Sequence, residues 1–386
     1  MTGEQKLRIG FMPLVDAAAL IVAVDKGFAS AEGLEVELVR EASWSNIRDK
    51  LAIGHFDAAH LLAPMAIAST LGLGHVKVPF AAPLSLATNG NAITLSPSLF
   101  EEMRQIAGCE LESPMISARA LGDLVRRREA QGLEPLTFGM TFPFSTHNYQ
   151  LRYWMAEGGI DPDRDLRLVV LPPPFMADSL REGHVDGFCV GAPWNSVAVD
   201  ASLGVILHFG CEIFPRAAEK VLALRGSSVE TAPELVAALI RAIVAAAKFV
   251  DDVEAHSEVA SILAREDRLA IDAELIKRSL EGRLIVNAKG DQRRAKDYLV
   301  IHRDGACRPS AQQAAWLYAQ MLRWGQARHS AERLAAAKAV MRADLYDSVI
   351  GEKSMPPAPI EAFAGPAFDS DDIAGYLQAF PIGQKI

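Results

Sequence analysis

The sequence lacks the short motifs by which many nucleotide-binding and hydrolytic proteins are recognised. It contains no G-x-x-x-x-G-K-[ST] phosphate loop, no G-x-S-x-G nucleophile elbow and no H-E-x-x-H metal motif. No set of nucleophile, base and orienting residue follows from the spacing of its Ser, Cys, His and Asp residues. We therefore expect a binding protein rather than an enzyme.

The chain is also poor in cysteine. None of its four cysteines lies in a C-x-x-C pair, so neither a zinc site nor a redox motif is indicated. Four dispersed thiols are typical of a reducing compartment. The first residues carry no basic segment followed by an apolar run, so we expect a cytoplasmic protein without a secretory leader or a membrane anchor.

Basic residues are outnumbered by acidic ones. The 386 residues include 39 Lys and Arg against 48 Asp and Glu, which gives a formal net charge of −9. Such a chain is a poor candidate for direct nucleic-acid binding. A small anion could still be bound, because a pocket depends on its local donors. Half of the residues are apolar, and the length suits two or three domains.

An internal repeat at an offset of 129 residues organises the first two-thirds of the chain. Residues 7–10 match residues 136–139, and seven of the sixteen residues 49–64 are identical in 178–193. Both copies read as strand, helix, strand, helix and a third strand entered through Gly-His-x-Asp. This order predicts parallel βαβ units with helices on both faces of a sheet.

Two such units predict two α/β lobes that face each other across a ligand cleft, because ligands bind beyond the carboxyl ends of the strands in open sheets. We assign residues 1–90 to the first lobe, 91–210 to the second, and 211–386 to a return to the first lobe plus a mainly helical region. Segments 205–209 and 221–224 are both predicted as strands of the returning chain. From residue 233 onward, apolar residues recur at helical spacing.

Several segments resemble a known family, and each is weak alone but specific in combination. They are residues 41–54, 57–65, 89–96, 139–148, 150–154 and 186–195. Together they resemble the nitrate- and bicarbonate-binding proteins of ABC transporters, the NrtA/CmpA type. The resemblance covers about residues 7–250 and implies a two-lobed, periplasmic-binding-protein-like (type II) fold with a helical C-terminal extension. It implies nitrate or nitrite as the ligand, with no cofactor and no metal.

The resemblance also implies a set of ligand-binding residues. Trp44, His147 and Lys220 are expected to bind the anion. Further candidates are Asn89, Asn91, Gln150 and Gly191. The bicarbonate branch is expected to carry an acidic residue where Lys220 stands, so Lys220 favours nitrate or nitrite. Ala192 departs from the glutamate usual in this motif, which puts transporter-like details of its loop in doubt.

The residue types suit an anion that only accepts hydrogen bonds. The Trp44 indole is a donor only. His147 begins a predicted helix, whose first N–H groups and dipole favour an anion, although Ser145 or Thr146 could instead cap those groups. Lys220 could equally be a solvated charge at a strand edge, and Gln150 could face solvent.

Other polar residues have structural interpretations of equal weight. Asn89-Gly-Asn91 is ordinary turn chemistry, and a hinge between the lobes explains it as well as ligand contact does. His60 lies in the third strand, where a satisfied core histidine is at least as plausible as a ligand. We interpret His55 and His184 as structural, and Asp57 and Asp186 as fixing the turn in each repeat.

Without a leader, the chain resembles the cytoplasmic nitrate and nitrite sensors of the NasS type. That branch holds an RNA-binding antiterminator of the NasT type, a response regulator, until the anion binds. One alternative is a solute-binding component of a nitrate or bicarbonate ABC transporter, or a binding domain fused to a transport ATPase. Another is an enzyme related to thiamine-pyrimidine synthases, although the Cys-rich motif of those enzymes is absent.

Overall fold

Strands of the computed structural model form two large sheets and a short hairpin within the described residues, 6–351 and 360–383. The strands are β1 (Leu7–Phe11), β2 (Val36–Arg40), β3 (Ala58–Leu62), β4 (Phe80–Asn89), β5 (Asn91–Leu95), β6 (Thr137–Met140), β7 (Arg167–Val170), β8 (Gly187–Gly191), β9 (Val205–Phe209), β10 (Ala218–Arg225), β11 (Arg283–Ile285), β12 (Gln292–Arg294) and β13 (Leu299–Val300). β11 and β12 form the hairpin.

The two large sheets repeat one arrangement. In the first, with strand order β13-β4-β10-β3-β1-β2, β1 pairs in parallel with β2 and β3, and β10 runs antiparallel between β3 and β4. In the second, with order β7-β6-β8-β5-β9, β6 pairs in parallel with β7 and β8, and β5 runs antiparallel beside β8. β3 and β8 are buried along their whole length, as expected of strands covered on both faces.

The predicted return of two strands to the first lobe is half wrong. β10 joins the first sheet as expected. β9 instead pairs with β5 in the second sheet, where Ala92 lies opposite Phe209. A short apolar strand carries no local signal of the sheet edge that it will join, so the sequence pattern could not decide between the two lobes.

The chain passes between the sheets at Gly90, the single residue between β4 and β5. Its φ of 96° lies in the left-handed region, and a Cβ there would come within 2.9 Å of Leu299 Cδ1. Asn89 also has a positive φ, 63°, which asparagine tolerates better than most residues. The second crossing runs from β9 to β10 through residues 210–217. These two segments are the connections that we call the two crossings.

Helices cover both sheets and form most of the C-terminal region. They are α1 (Ala18–Asp25), α2 (Phe28–Ala31), α3 (Trp44–Ala52), α4 (Ala63–Leu71), α5 (Pro97–Ala107), α6 (Pro114–Ala130), α7 (Thr146–Glu157), α8 (Met176–Arg181), α9 (Trp194–Asp200), α10 (Gly210–Ile213), α11 (Gly226–Thr231), α12 (Pro233–Val250), α13 (His256–Leu263), α14 (Ala273–Leu280), α15 (Ala311–Arg323), α16 (Ala331–Val340), α17 (Ala343–Ile350) and α18 (Ile373–Gln378). Short 3-10 turns occur at Val15–Ala17, Pro173–Phe175, Val253–Ala255 and Arg303–Gly305. Residues 352–359 and 384–386 of the predicted C-terminal region lie outside the described residues.

The helices bury the apolar stripes that their spacing predicts. α12 presents Leu239, Ile240 and Ile243 to the core on the α1 side of the first sheet. α15 and α16 pack on α4 on the other side. The part of α15 that includes Leu317 and Met321 is fully buried. Packing on both faces fixes the carboxyl ends of β1, β2 and β3, where the loops of the site begin.

Candidate functional site

The N-terminus of α7 places His147 between the two sheets. Ser145 caps the helix, since its hydroxyl accepts from Asn148 N at 3.1 Å, and Thr146 Oγ1 donates to the Ala218 carbonyl at 3.0 Å. The cap predicted as an alternative is therefore present. His147 is fully buried beside it, with the Thr141 hydroxyl 3.1 Å from Nδ1.

Trp44 is the first residue of α3, in the loop after β2. Its ring is buried and lies edge-on to His60, with centroids 5.4 Å apart. The Lys220 ammonium lies 5.8 Å from the centroid of the same ring. This distance is within the range of a cation–π contact. The indole is thus held by packing, and its N–H is not needed to hold it.

Lys220 does not lie at a strand edge. It lies in β10, between β3 and β4, and is fully buried. The pairing of β10 with β4 skips Glu219, because Ala218 faces Thr88 and Lys220 faces Ala87. Such a bulge lets two consecutive side chains reach the same side of a sheet. The interpretation of Lys220 as a solvated surface charge is therefore wrong.

Asp16 is the principal partner of Lys220. It lies in the 3-10 turn after β1, with Oδ2 2.8 Å from Lys220 Nζ and Oδ1 3.0 Å from His60 Nε2. Met12 N donates to His60 Nδ1 at 3.3 Å, which leaves the proton of the neutral ring on Nε2, facing Asp16. His60 is thus a buried histidine whose Nε2 lies 3.0 Å from Asp16, in the wall of the site.

Amide side chains link this charged cluster to the second sheet. Asn91 Nδ2 donates to Glu219 Oε1 at 2.6 Å and to Gln150 Oε1 at 3.1 Å. Gln150 is fully buried rather than facing solvent, and its Nε2 donates to the Gly210 carbonyl at 3.4 Å. Gly191 lies opposite Asn91 in the β5–β8 ladder. A Cβ on it would lie 3.5 Å from Asp16 Oδ2.

Burial and charge together set the ionisation of these groups. Burial opposes the ionised form of Asp16, but Lys220 and His60 outweigh it and hold the pKa of Asp16 well below its usual range. Burial likewise opposes the charge of Lys220, but Asp16 and Glu219 raise its pKa. Burial, helped by the Lys220 charge, lowers the pKa of His147 well below its usual value. The site therefore holds a fixed ammonium beside neutral imidazoles.

Trp44 and His147 lie near the Lys220 charge, and each carries a ring nitrogen without a partner. Trp44 Nε1 and His147 Nε2 are buried, and neither has a hydrogen-bond partner among the described residues. If Thr141 donates to Nδ1, the ring proton of His147 lies on Nε2. Buried donors are nearly always paired in folded proteins. Two unpaired donors beside an ammonium can therefore hold a small anion that only accepts hydrogen bonds.

The structure brings six of the seven predicted site residues together and separates one. Trp44, His147, Lys220, Asn91, Gln150 and Gly191 surround the cluster. Asn89 instead donates to the Pro215 and Asp297 carbonyls, both at 2.8 Å, and accepts from Ala217 N at 2.9 Å. Its amide therefore ties the two crossings together, and the hinge alternative accounts for it. Both donors of Asn91 are also engaged, so Asn91 positions its neighbours.

Sequence reasoning missed Asp16 and Glu219. Asp16 is the one charged residue in the otherwise apolar stretch between Gly10 and Asp25, and that isolation could have marked it. Glu219 precedes Lys220 directly, so any regular strand would place the two side chains on opposite faces. Only the bulge in β10 brings them together, and the sequence carries no signal for it.

A second polar array superficially resembles hydrolytic machinery. Ser117 Oγ lies 2.6 Å from His208 Nε2, and His208 Nδ1 lies 3.6 Å from Glu212. Ser117 also accepts the Trp154 indole N–H at 3.0 Å, and both Ser117 and His208 are fully buried. A nucleophile enclosed by core packing cannot reach a substrate, so this array stabilises the interior of the second lobe.

Comparison with protein families identifies the family to which the chain belongs. The model of a family described as NMT1-like matches residues 2–264. The chain belongs to the NMT1-like family. Within this family the predicted NrtA/CmpA type is confirmed, whereas the particular closeness to the NasS type stays a prediction. No helix within the described ranges is both long and apolar enough to cross a membrane, and no three metal-ligating side chains meet there.

Comparison with individual proteins shows which relatives the chain resembles. The chain is 31% identical to the nitrate/nitrite binding protein NrtA of Synechococcus elongatus over 96% of this chain and 84% of that protein. It is 34% identical to the nitrate import ATP-binding protein NrtC of a Synechocystis strain over 98% of this chain, but spans only 56% of NrtC. The chain thus spans about half the length of the curated relatives that it matches first.

A solved structure confirms the predicted fold class. The periplasmic nitrate-binding protein NrtA from Synechocystis PCC 6803 superposes with a TM-score of 0.88 at 27% identity, and the match covers 98% of both chains. The two-lobed, periplasmic-binding-protein-like fold is therefore shared over nearly the whole length, including the helical C-terminal region of the NMT1-like chain.

Proposed function

We propose that the chain binds nitrate or nitrite at this buried site. The observation that carries the proposal is the pair of unpartnered donors, Trp44 Nε1 and His147 Nε2, beside the Lys220 ammonium. Nitrate is a planar monoanion with three acceptor oxygens, so it can accept from both rings and lie near the positive charge. The NrtA relatives, which are named for nitrate and nitrite binding, support this ligand.

The site draws on both lobes, which is the geometry needed for a ligand-controlled closure. Trp44 and Lys220 belong to the first lobe, and His147 enters from the second. An anion held by all three stabilises the closed arrangement over an open one by its differential affinity for the two states. Arg48 and Phe142, whose guanidinium and ring centre are 5.6 Å apart, form a further contact between the lobes.

We further propose that closure serves sensing in the cytoplasm. In this proposal the anion-free chain holds an antiterminator response regulator of the NasT type, and the nitrate-bound chain releases it. A candidate site built from both lobes, in a chain similar to the nitrate/nitrite binding protein NrtA, motivates the idea. A solute-binding component of a nitrate or bicarbonate ABC transporter is the second candidate, and the match to over half of NrtC favours it. A catalytic role is not proposed, because the relatives named NrtA are binding proteins.

The ligand is tested by thermal unfolding of dialysed protein with nitrate, nitrite, chloride, or bicarbonate plus calcium. A ligand at about 100 times its dissociation constant stabilises the native state by about 2.7 kcal/mol. A rise in Tm with nitrate or nitrite alone supports the proposal. A rise with only bicarbonate plus calcium would place the chain with the bicarbonate binders, and no rise with any anion would refute the proposed ligand.

The sensing role needs a separate experiment. The full chain is mixed with a purified NasT-type response regulator, and complex formation is measured by size-exclusion chromatography with and without nitrate. The sensor proposal expects a complex that nitrate dissociates. A complex that is unchanged by nitrate, or no complex at all, would contradict the sensor and favour the transporter candidate without touching the ligand assignment.

A further inference from the structure

The buried cluster holds more negative than positive charge. Asp16 and Glu219 contribute two carboxyl groups, and Lys220 contributes the one ammonium; all three side chains are at least 98% buried. With both carboxyls ionised the cluster carries a net charge of −1, and a bound monoanion would raise this to −2. Accumulated unpaired charge in a buried site is strongly unfavourable.

The imidazoles do not supply the missing positive charge. Burial lowers the pKa of His60, and burial with the Lys220 charge lowers the pKa of His147, so both rings are neutral near pH 7. Trp44 offers a neutral donor. The remaining way to limit the negative charge is to protonate one of the two carboxylates.

The contacts distinguish the two carboxyl groups. Asp16 faces Lys220 at 2.8 Å and the His60 ring at 3.0 Å. Glu219 accepts a neutral amide N–H from Asn91 on β5 and lies farther from Lys220, at 3.3 Å. A neighbouring negative charge raises the pKa of a carboxyl group, and the less strongly paired carboxylate then takes up a proton first.

The other groups that face Glu219 do not reverse this order. Asp16, from the turn after β1, adds a second negative charge, and Cys189, from β8, is a thiol whose pKa is raised well above its usual value by burial and then by Glu219. His147, from α7, is neutral. Burial raises the pKa of Glu219 to about 7, even though Lys220 and Asn91 oppose the shift. Glu219 is therefore the carboxyl group of the cluster that holds a proton most readily.

We propose that the site takes up its anion together with a proton, and that Glu219 is the residue that carries this proton. The inference rests on the proposed function, because it presupposes that a monoanion enters this cluster. In the bound state Lys220 then balances Asp16, and the anion is the only further negative charge. Glu219 becomes a residue that sets both the strength of binding and its dependence on pH.

Isothermal titration of the wild-type chain with sodium nitrate tests the inference directly. Repeating the titration in two buffers of different ionisation enthalpy reports the number of protons taken up. We expect uptake of about one proton near pH 8, and a dissociation constant about thirtyfold larger at about pH 8.5 than at about pH 6, from the linkage of one group with a pKa near 7. Binding without proton uptake and with a flat pH profile would overturn the inference.

The variant Glu219→Gln identifies the residue. The neutral amide resembles the protonated acid, so we expect binding without proton uptake and a dissociation constant that varies less than about threefold over this pH range. Glu157→Gln is the matched control, because burial raises the pKa of that carboxyl too, at the distal end of α7. An unchanged proton uptake in Glu219→Gln would assign the proton elsewhere and refute the role of Glu219.

The outcomes separate this inference from the proposed function. Failure of nitrate and nitrite to bind at any pH would refute the proposed ligand. Binding at every pH without a proton would leave the ligand assignment standing and refute only the coupling. If Glu219→Gln does not fold, the two-buffer titration of the wild-type chain still decides whether a proton is taken up.

Discussion

The two sheets contribute unlike chemistry to one site. All the ionisable charge of the cluster, Asp16, Glu219 and Lys220, comes from the first lobe, whereas the second lobe supplies only neutral groups such as His147 and Gln150. The repeat makes the contrast sharper. At the offset of 129 residues, Asp16 corresponds to Ser145 and His60 to Cys189.

The difference shows how a duplicated frame can be specialised. The Gly-His-x-Asp turn before the third strand makes the same hydrogen bond in each repeat. Asp57 accepts from Arg8 N at 2.8 Å, and Asp186 accepts from Thr137 N at 2.7 Å. This confirms the predicted turn-fixing role of both carboxylates. The residues that face the cleft differ instead, so that one lobe is charged and the other offers neutral donors. An anion that needs both lobes can then report their closure.

Removing the positive charge of the first lobe should have the largest effect on both stability and nitrate binding. Lys220→Met leaves Asp16 and Glu219 buried without their cation, and breaking a buried ion pair in this way costs about 3–5 kcal/mol. We expect that loss in the free energy of unfolding, measured by urea denaturation, together with loss of nitrate binding. Lys26→Met, which removes a half-exposed partner of Glu258, should cost less than about 1 kcal/mol. Equal effects from the two variants would refute the assigned importance of the cluster.

Removing one neutral donor from each lobe should weaken nitrate binding. Trp44→Phe and His147→Phe each delete a ring N–H that has no partner in the ligand-free protein. Because Trp44 is fully buried and His147 Nδ1 contacts the Thr141 hydroxyl, we also expect each variant to lose about 1–3 kcal/mol of stability. A hydrogen bond to a charged group contributes about 1.5–3 kcal/mol, which corresponds to about a tenfold to hundredfold rise in the dissociation constant.

The control for this pair comes from the chain itself. Trp324 also has an unpartnered, buried indole N–H among the described residues, but it packs on Arg323 near the C-terminal region. Trp324→Phe should leave nitrate affinity unchanged in the same titration. A comparable loss of affinity in Trp324→Phe would mean that packing, and not the donor in the site, explains the effect of Trp44→Phe.

In the ligand-free protein, the contribution of Glu219 to the free energy of unfolding should fall as the pH rises from about 4 to about 7. Glu219 has a folded pKa of about 7, above the ordinary value, so the folded state holds a proton that the unfolded chain has released. By linkage, its contribution is fully present below the ordinary glutamate pKa and is lost on passing the folded pKa, an effect of about 1–3 kcal/mol. Urea denaturation at about pH 5 and about pH 8 in nitrate-free buffer measures it.

The comparison that isolates this effect is between variants. Glu219→Gln should flatten that part of the stability profile, and Glu157→Gln serves as the matched control. Asp16 has the opposite sign, because its pKa is lowered: its contribution is present above the ordinary aspartate pKa and is lost only in strong acid. A Glu219→Gln profile parallel to that of the wild type between pH 5 and pH 8 would contradict the raised pKa.

The smallest effect is expected where the two halves are alike. His55 and His184 occupy equivalent places in the repeat, and both are exposed on the turns away from the cleft. His55→Gln and His184→Gln should each change the free energy of unfolding by less than about 0.5 kcal/mol and leave nitrate affinity unchanged. A marked loss of nitrate affinity in either variant would mean that residues outside the cleft also take part in binding.

The repeat and the helical spacing were sufficient to predict the two lobes and their parallel strands, because both depend on local periodicity. They also place Trp44 and His147 correctly, since each begins a helix after a strand. The partners of Lys220 could not be predicted. Asp16 is 204 residues away along the chain, and Glu219 reaches the site only through a bulge. Pairing of distant side chains depends on the assembled sheets and leaves no local pattern.

The two crossings lie side by side, since Thr88 of β4 pairs with Ala218 of β10. They therefore form a single pivot, and a rotation about it displaces each atom in proportion to its distance from the axis. Lys220 and Asn91 lie within three residues of the crossings and therefore close to the pivot. Trp44 and Lys220 both belong to the first lobe, where the indole ring lies 5.8 Å from the ammonium, so a rotation of one lobe against the other moves them together. A small turn thus separates His147, which belongs to the second lobe, from the Trp44 and Lys220 side chains of the first.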